Sequence, residues 1–231
     1  MKKGNMGYVV SIDKYVHASA QKKNSGDANR NPAVELKSFG ANGEYDKDLF
    51  GPKTPEFKFA NRVIWTFYSI YRDFERDVIL GTWNDSAFGT AAGKTGLGSS
   101  AASVVAMVGA LFRHHFGALD VNTIHVISQY IHYTVQGAGS GFDVASACFG
   151  SIKYSRFSPE SFKGRAPDKV VGVELDCTIG PLPFPADYSM LYIPLGKSVS
   201  STERIAKINV GKKNLDMLNA ANIKCIESLY S

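Results

Sequence analysis

The stretch richest in chemistry is Lys94-Thr95-Gly96-Leu97-Gly98-Ser99-Ser100-Ala101-Ala102, which leads from a small, polar loop directly into an almost wholly apolar run. Gly96 and Gly98 remove Cβ atoms where backbone can approach a ligand, and Ser99 and Ser100 fall in the first turn of the helix that follows. The unpaired N–H groups of that turn, with the helix dipole, form an anion site. Two adjacent hydroxyls there can cap the helix and offer an oxygen to Mg²⁺, and Lys94 supplies a point charge suited to phosphate. A second stretch, Gln136-Gly137-Ala138-Gly139-Ser140-Gly141-Phe142-Asp143-Val144-Ala145, sets a carboxylate at the start of an apolar helix behind a run of glycines. Asp143 there can orient or deprotonate an acceptor hydroxyl or phosphate, or it can simply cap its helix.

Two better-known glycine loops do not fit the first stretch. Gly93-Lys94-Thr95 resembles the end of a P-loop, but only three residues separate Gly89 from Gly93 where that motif needs four. Gly96-x-Gly98-x-x-Ala101 matches a dinucleotide fingerprint in spacing, yet residues 86–95 are polar and small where a buried strand should stand. Ser200 and Ser201, in Gly196-Lys197-Ser198-Val199-Ser200-Ser201-Thr202, can hold a substrate or cap the helix that follows. His125 and His132 lie seven apart on one helical face, and with no third ligand in view they read as packed or solvent-facing residues, not as a metal pair.

The chain that must position these groups has 231 residues, 26 basic and 21 acidic side chains, a net charge of +5, and 44% apolar residues. That composition excludes disorder and collagen. The positive balance suits anionic ligands, but the basic residues are scattered and not interleaved with aromatics, so nucleic acid is not expected as a partner. Cys148, Cys177 and Cys225 show no ligand or disulfide spacing and fit a reducing, cytoplasmic setting. The apolar run at 8–12 is too short for a signal or a membrane span.

Alternation of apolar and polar residues predicts strands over 8–12, 14–20 and 33–39, and β-forming runs predict others at 77–83, 151–157, 170–175 and 188–195. Helical spacing predicts helices over 57–74, 101–116, 121–135 with Asp120 as cap, 142–149, and from 203 onward. Phe67 and Tyr71 fall on the core stripe of the first helix. The order argues an α+β fold with helices packed on a mostly antiparallel sheet.

On these two motifs together the chain resembles the galactokinase, homoserine kinase, mevalonate kinase and phosphomevalonate kinase (GHMP) superfamily. KTGLGSSAA resembles its phosphate-binding motif. GSGFDVA followed by Gly150-Ser151-x-x-Tyr154-x-Arg156-Phe157 is similar to phosphomevalonate kinases of the eukaryotic and archaeal type, whereas mevalonate kinases usually carry GNPSG-x-D there.

The resemblance implies a GHMP kinase fold: an N-terminal ATP-binding domain over 1–183 like ribosomal protein S5 domain 2, and the start of a ferredoxin-like C-terminal domain over 184–231. It implies ATP and Mg²⁺ as cofactors, with 5-phosphomevalonate as acceptor and mevalonate as the alternative. Lys94, Gly96, Leu97, Gly98, Ser99, Ser100 and Ala101 would bind the ATP phosphates, with the Ser100 hydroxyl on the metal. Asp143 and Lys94 would be catalytic, and Ser140, Gly141, Arg156, Ser200 and Ser201 would contact substrate. A monomer or homodimer is expected. An APGK-like first strand and a C-terminal G-x-GG-x-D motif are missing, which leads to the expectation of a chain truncated at both ends.

Overall fold

The structure is a computed structural model that describes residues 5–24, 32–36, 41–44, 57–86, 89–90, 93–94, 97–193 and 212–228. Three helices supply most of its apolar surface: α1 (Lys58–Ile70), α2 (Ser99–Phe116) and α3 (Val121–Gln136). Their stripes, which include Val63, Ile64 and Phe67 on α1, Val104, Met107 and Leu111 on α2, and Ile124, Ile127 and Ile131 on α3, close into one core. Burial at this density is the main favourable term in folding. Aromatic edges lock the corner where α1 meets α2, with Phe67 T-shaped against Phe112 at 5.8 Å. Asp120 caps α3 as expected, its Oδ1 accepting from the Asn122 and Thr123 N–H groups.

One face of this core is covered by strands β2 (Val16–Lys22), β3 (Ala33–Leu36), β4 (Ala41–Glu44) and β5 (Val78–Asn84), in the order β2-β5-β3-β4. β2 and β5 run antiparallel from Val16↔Asn84 to Lys22↔Val78, while β3 runs parallel to β5 from Ala33↔Ile79. Among the described strands that parallel pair is the exception to antiparallel pairing, and the chain between its two strands carries β4 and α1, a crossover of the kind parallel pairing requires. A two-residue hairpin, β6 (Gly89–Thr90) with β7 (Gly93–Lys94), precedes α2.

A second sheet lies beneath the short helix α4 (Phe142–Phe149). It is built from β1 (Met6–Val9), β8 (Ile152–Ser155) and β9 (Ile179–Pro181), all antiparallel, with Gly7 opposite Tyr154 and Tyr154 opposite Ile179. Ala145, Ile152 and Tyr154 are fully buried between helix and sheet. The last helix, α5 (Lys212–Ser228), reaches the same sheet, where Asn222 Nδ2 donates to the Met6 carbonyl at 2.6 Å.

The strand expected at 170–175 does not form. Val170 closes a 3₁₀ turn over Pro167–Lys169, the Val173 N–H returns to the Val170 carbonyl, and the strand beside β8 comes from 179–181 instead. The β-branched residues there serve packing: Val170 is fully buried in the main core and Val173 lies against it. Residues 188–193 are likewise irregular and exposed. α1 ends at Ile70, not Phe74, although Phe74 still stacks on His115 at 4.7 Å. No helix among the described residues is long and apolar enough to cross a membrane.

Phe67 is the hub of the aromatic corner and has no exposure. Phe67→Ala is expected to cost about 3–5 kcal/mol, read from the urea midpoint at unchanged m.

Candidate active site

The chain enters both α2 and α4 through a glycine in the left-handed region, Gly98 at φ +77° and Gly141 at φ +76°. At each, a non-glycine residue would carry a backbone penalty. The two turns bring the helix N-termini together: a Cβ placed on Gly98 would stand 3.9 Å from the Asp143 Cβ. An anion seated on the first turn of α2 therefore lies beside the carboxylate in the first turn of α4.

At the mouth of α2 the Gly98 carbonyl accepts from the Ala101 and Ala102 N–H groups at 3.1 and 3.2 Å. The Ser99 and Ser100 N–H groups have no acceptor among the described residues, which leaves them available to an anion. The expected capping by the serine hydroxyls is corrected here. Gly98 is the N-cap and no side chain caps the helix. The cap is made by backbone conformation, and the hydroxyls of Ser99 and Ser100 stay uncommitted to that task. Leu97 precedes the turn as a half-buried bend and Ala101 is fully buried in the core. Lys94 pairs through its backbone with Gly89 in the hairpin ahead of α2. Gly96, Ser200 and Ser201 lie outside the described residues.

Asp143 sits in the first turn of α4, where a carboxylate is favoured by the dipole. Its Oδ1 accepts from the Val144 N–H at 3.0 Å, and its Oδ2 lies 3.8 Å from His132 Nε2. The side chain keeps 29% of its exposure, so it can reach a ligand.

The loop that delivers Asp143 is held at three successive carbonyls, each by a side chain from another element. Arg156 Nη2 donates to Gly139 at 2.8 Å, Tyr154 Oη to Ser140 at 3.0 Å, and Gln129 Nε2 to Gly141 at 2.6 Å. Arg156, expected to bind substrate, thus has the loop backbone as a partner, and Ser140 is placed by its carbonyl while its side chain remains half-buried.

Gln129 and Tyr154 were not among the expected site residues. Gln129 is buried on a helix face that otherwise reads as core, and only its amide among the isoleucines could have signalled a polar task. The same amide nitrogen lies 3.1 Å from His125 Nε2. Because a carbonyl stands on one side of that NH₂, His125 Nε2 must be the acceptor on the other, which fixes a neutral ring protonated at Nδ1. Burial agrees, holding the His125 pKa down at about 4. Burial also pushes the Cys148 thiol up to about 12, so it stays protonated and is no nucleophile. Among the described residues no cluster of three or more His, Cys, Asp or Glu could hold a metal, and His125 and His132 are both buried, one of the two placements the sequence left open.

Two outcomes follow from this geometry. A Cβ at Gly141 would meet Gln129 Oε1 and Phe157 Cε1 at 2.5 and 2.7 Å, so Gly141→Ala should destabilise by about 3 kcal/mol or more. Gly98→Ala, whose Cβ would make only an ordinary van der Waals contact with Asp143 Cβ, should cost only about 1–2 kcal/mol for the left-handed backbone; equal losses in urea unfolding would contradict this. His125 is neutral when folded and ionises near 6.5 when unfolded, so its contribution is full above pH 6.5 and is lost as pH falls toward 4. The shift corresponds to about 3 kcal/mol. Unfolding titrations at pH 7 and 4.5 should show a smaller acid loss in His125→Gln than in wild type.

The region of hairpin, α2, α3 and α4 matches the family model of the GHMP kinases N terminal domain over residues 89–151. The phosphomevalonate kinase of Saccharolobus solfataricus is 33% identical over 161 residues, covering 67% of this chain and 44% of that protein. The peroxisomal phosphomevalonate kinase of Arabidopsis thaliana is 45% identical over 103 residues, 38% of this chain and 20% of that one. The chain thus spans less than half the length of these curated relatives. A Streptococcus pneumoniae phosphomevalonate kinase, solved in complex with phosphomevalonate and AMPPNP, superposes with a TM-score of 0.77 over 99% of this chain and 68% of its own, at 16% identity, which establishes the shared GHMP kinase fold. By its motifs, its matched domain and its architecture, the chain belongs to the GHMP kinase superfamily.

Proposed function

We propose that this chain is the nucleotide- and acceptor-binding part of a phosphomevalonate kinase, which moves the γ-phosphate of ATP to 5-phosphomevalonate and yields 5-diphosphomevalonate. The observation that carries the reading is the approach of the two helix N-termini, with a Cβ built on Gly98 at the mouth of α2 standing 3.9 Å from the Asp143 Cβ. Phosphoryl transfer needs little covalent help from protein; it needs two polyanions held in line and their charge offset. The Ser99 and Ser100 N–H groups and Lys94 would hold the ATP phosphates, with Gly96, Leu97, Gly98 and Ala101 shaping the turn. Ser140, Gly141, Ser200 and Ser201 would line the acceptor side, and Arg156 would support it by holding the loop.

The acceptor phosphate has a second pKa of about 6 and is already largely anionic near neutrality. Asp143 therefore need not be a strong base. Its task is to orient the attacking oxygen and receive any residual proton. Mg²⁺ suits the donor set, because this ion usually takes one or two protein oxygens and completes its shell with phosphate and water. Ser100 would supply the hydroxyl, and the ion would neutralise the β and γ oxygens.

We place the boundary between the nucleotide-binding and following domain near residue 183, with α5 in the latter. Three unpaired cysteines support a cytoplasmic, reducing setting, and the protein would act on small molecules as a monomer or homodimer.

The test is ADP release by the full-length protein from ATP and Mg²⁺ with phosphomevalonate, with mevalonate, and with neither. Turnover should require phosphomevalonate; turnover with mevalonate alone would replace this reading with mevalonate kinase. Asp143→Asn should lower kcat at least about a hundredfold, and an activity within a few-fold of wild type would remove Asp143 from the reaction.

A further inference from the structure

Helix α3 carries the same pair of residues twice. His125 and Gln129 are four apart, His132 and Gln136 repeat them seven residues later, and both pairs face the start of α4. In the first pair Gln129 grips the Gly141 carbonyl, with His125 Nε2 against the same amide nitrogen. The second stands beside Asp143, and no role has yet been given to it.

The His132 ring is fixed from three directions. One face stacks on Phe59 of α1 with centroids 5.5 Å apart and planes 13° from parallel. Nε2 lies 3.1 Å from the Gln136 amide nitrogen and 3.8 Å from Asp143 Oδ2. The His132 side chain is only 5% exposed, against 29% for the carboxylate. The charged groups that face the ring are Asp143 from α4 and Lys58 from α1, whose ammonium sits 5.2 Å from the Phe59 ring. Burial and Lys58 push the imidazole pKa down and Asp143 pulls it up. Burial dominates, so the ring is neutral near pH 7.

We propose that His132 is a positioning residue for Asp143, holding Oδ2 toward α3 so that the carboxylate faces the mouth of α2. This rests on the reading of Asp143 as the group that orients the acceptor. A neutral ring suits the task. The Gln136 amide presents its nitrogen to Nε2 in the structure, and rotating that amide so that its oxygen accepts leaves Nε2 carrying the proton, 3.8 Å from Oδ2, where it steers one carboxylate oxygen without cancelling the charge. A cationic ring would pair with Asp143 and compete with the acceptor. Gln136 sets which of these arrangements the ring takes, as Gln129 does for His125.

The experiment uses the full-length protein. In a heteronuclear NMR titration, Asp143→Asn should lower the His132 midpoint by about half a pH unit or more, because the carboxylate favours the charged ring; an unmoved midpoint overturns the proposal whatever Asp143 does in turnover. His132→Phe keeps the stacking and loses the nitrogens. It should lower kcat about tenfold or more with KM for ATP within twofold, the size expected when a reacting group is displaced. His132→Gln, which restores a donor at similar reach, should recover much of that loss. A wild-type kcat in His132→Phe overturns the proposal, and if that variant does not fold, the titration decides. A fully active Asp143→Asn with the midpoint shift intact would instead retire the catalytic reading of Asp143, and this proposal with it.

Discussion

Everything at the site depends on the grip that three side chains exert on three consecutive carbonyls, Gly139, Ser140 and Gly141. A glycine-rich loop has many conformations open to it, and fixing each residue costs about 1–2 kcal/mol in backbone entropy. Here the cost is offset by three hydrogen bonds, and at the buried Gly141 carbonyl a missing partner would be penalised. Gln129 arrives from α3, Tyr154 from β8 and Arg156 from the residue just past its end, so the loop is clamped between a helix and a sheet. The clamp sets the direction in which α4 leaves Gly141, and with it the place of Asp143 against the N-terminus of α2.

The two histidines behind the site are held uncharged. His125 is neutral because its nitrogen must accept from Gln129, and burial drives His132 the same way. Positive potential is then supplied by backbone N–H groups at two helix starts, which need no reorganisation when charge arrives. The one carboxylate among these groups is also the one that retains contact with solvent. A polyanionic ligand thus meets a field made mostly by fixed dipoles.

Much of this could be read from residues alone. The stripes of α1, α2 and α3 followed helical spacing closely, and Asp120 was recognisable as a cap because Asn122 and Thr123 fall where its carboxylate can reach. The loop–helix junctions at Gly98 and Asp143 were legible from glycine and carboxylate positions. The capping mode at Ser99 was not, because hydroxyls at a helix start suggest a side-chain cap while the backbone of Gly98 does the work unaided. Val170 and Val173 misled for a related reason: β-branched residues report a buried surface as readily as a ladder. Gln129 and His132 were hidden because a polar residue on an apolar face declares itself only when its partner, distant in sequence, is known.

The pairing of β1 with β8 has a consequence for the order of assembly. Tyr154 and Arg156 can reach the loop only when β8 is seated, and β8 is seated against a strand from the opposite end of the chain, with Gly7 beside Tyr154. Closing so long a loop is slow compared with packing α2 against α3, which follow each other in sequence. The helical core can therefore consolidate while the loop over 139–141 is still loose. The placement of Asp143 would then be completed after the core, and fraying of that one sheet edge would loosen it while leaving the core intact.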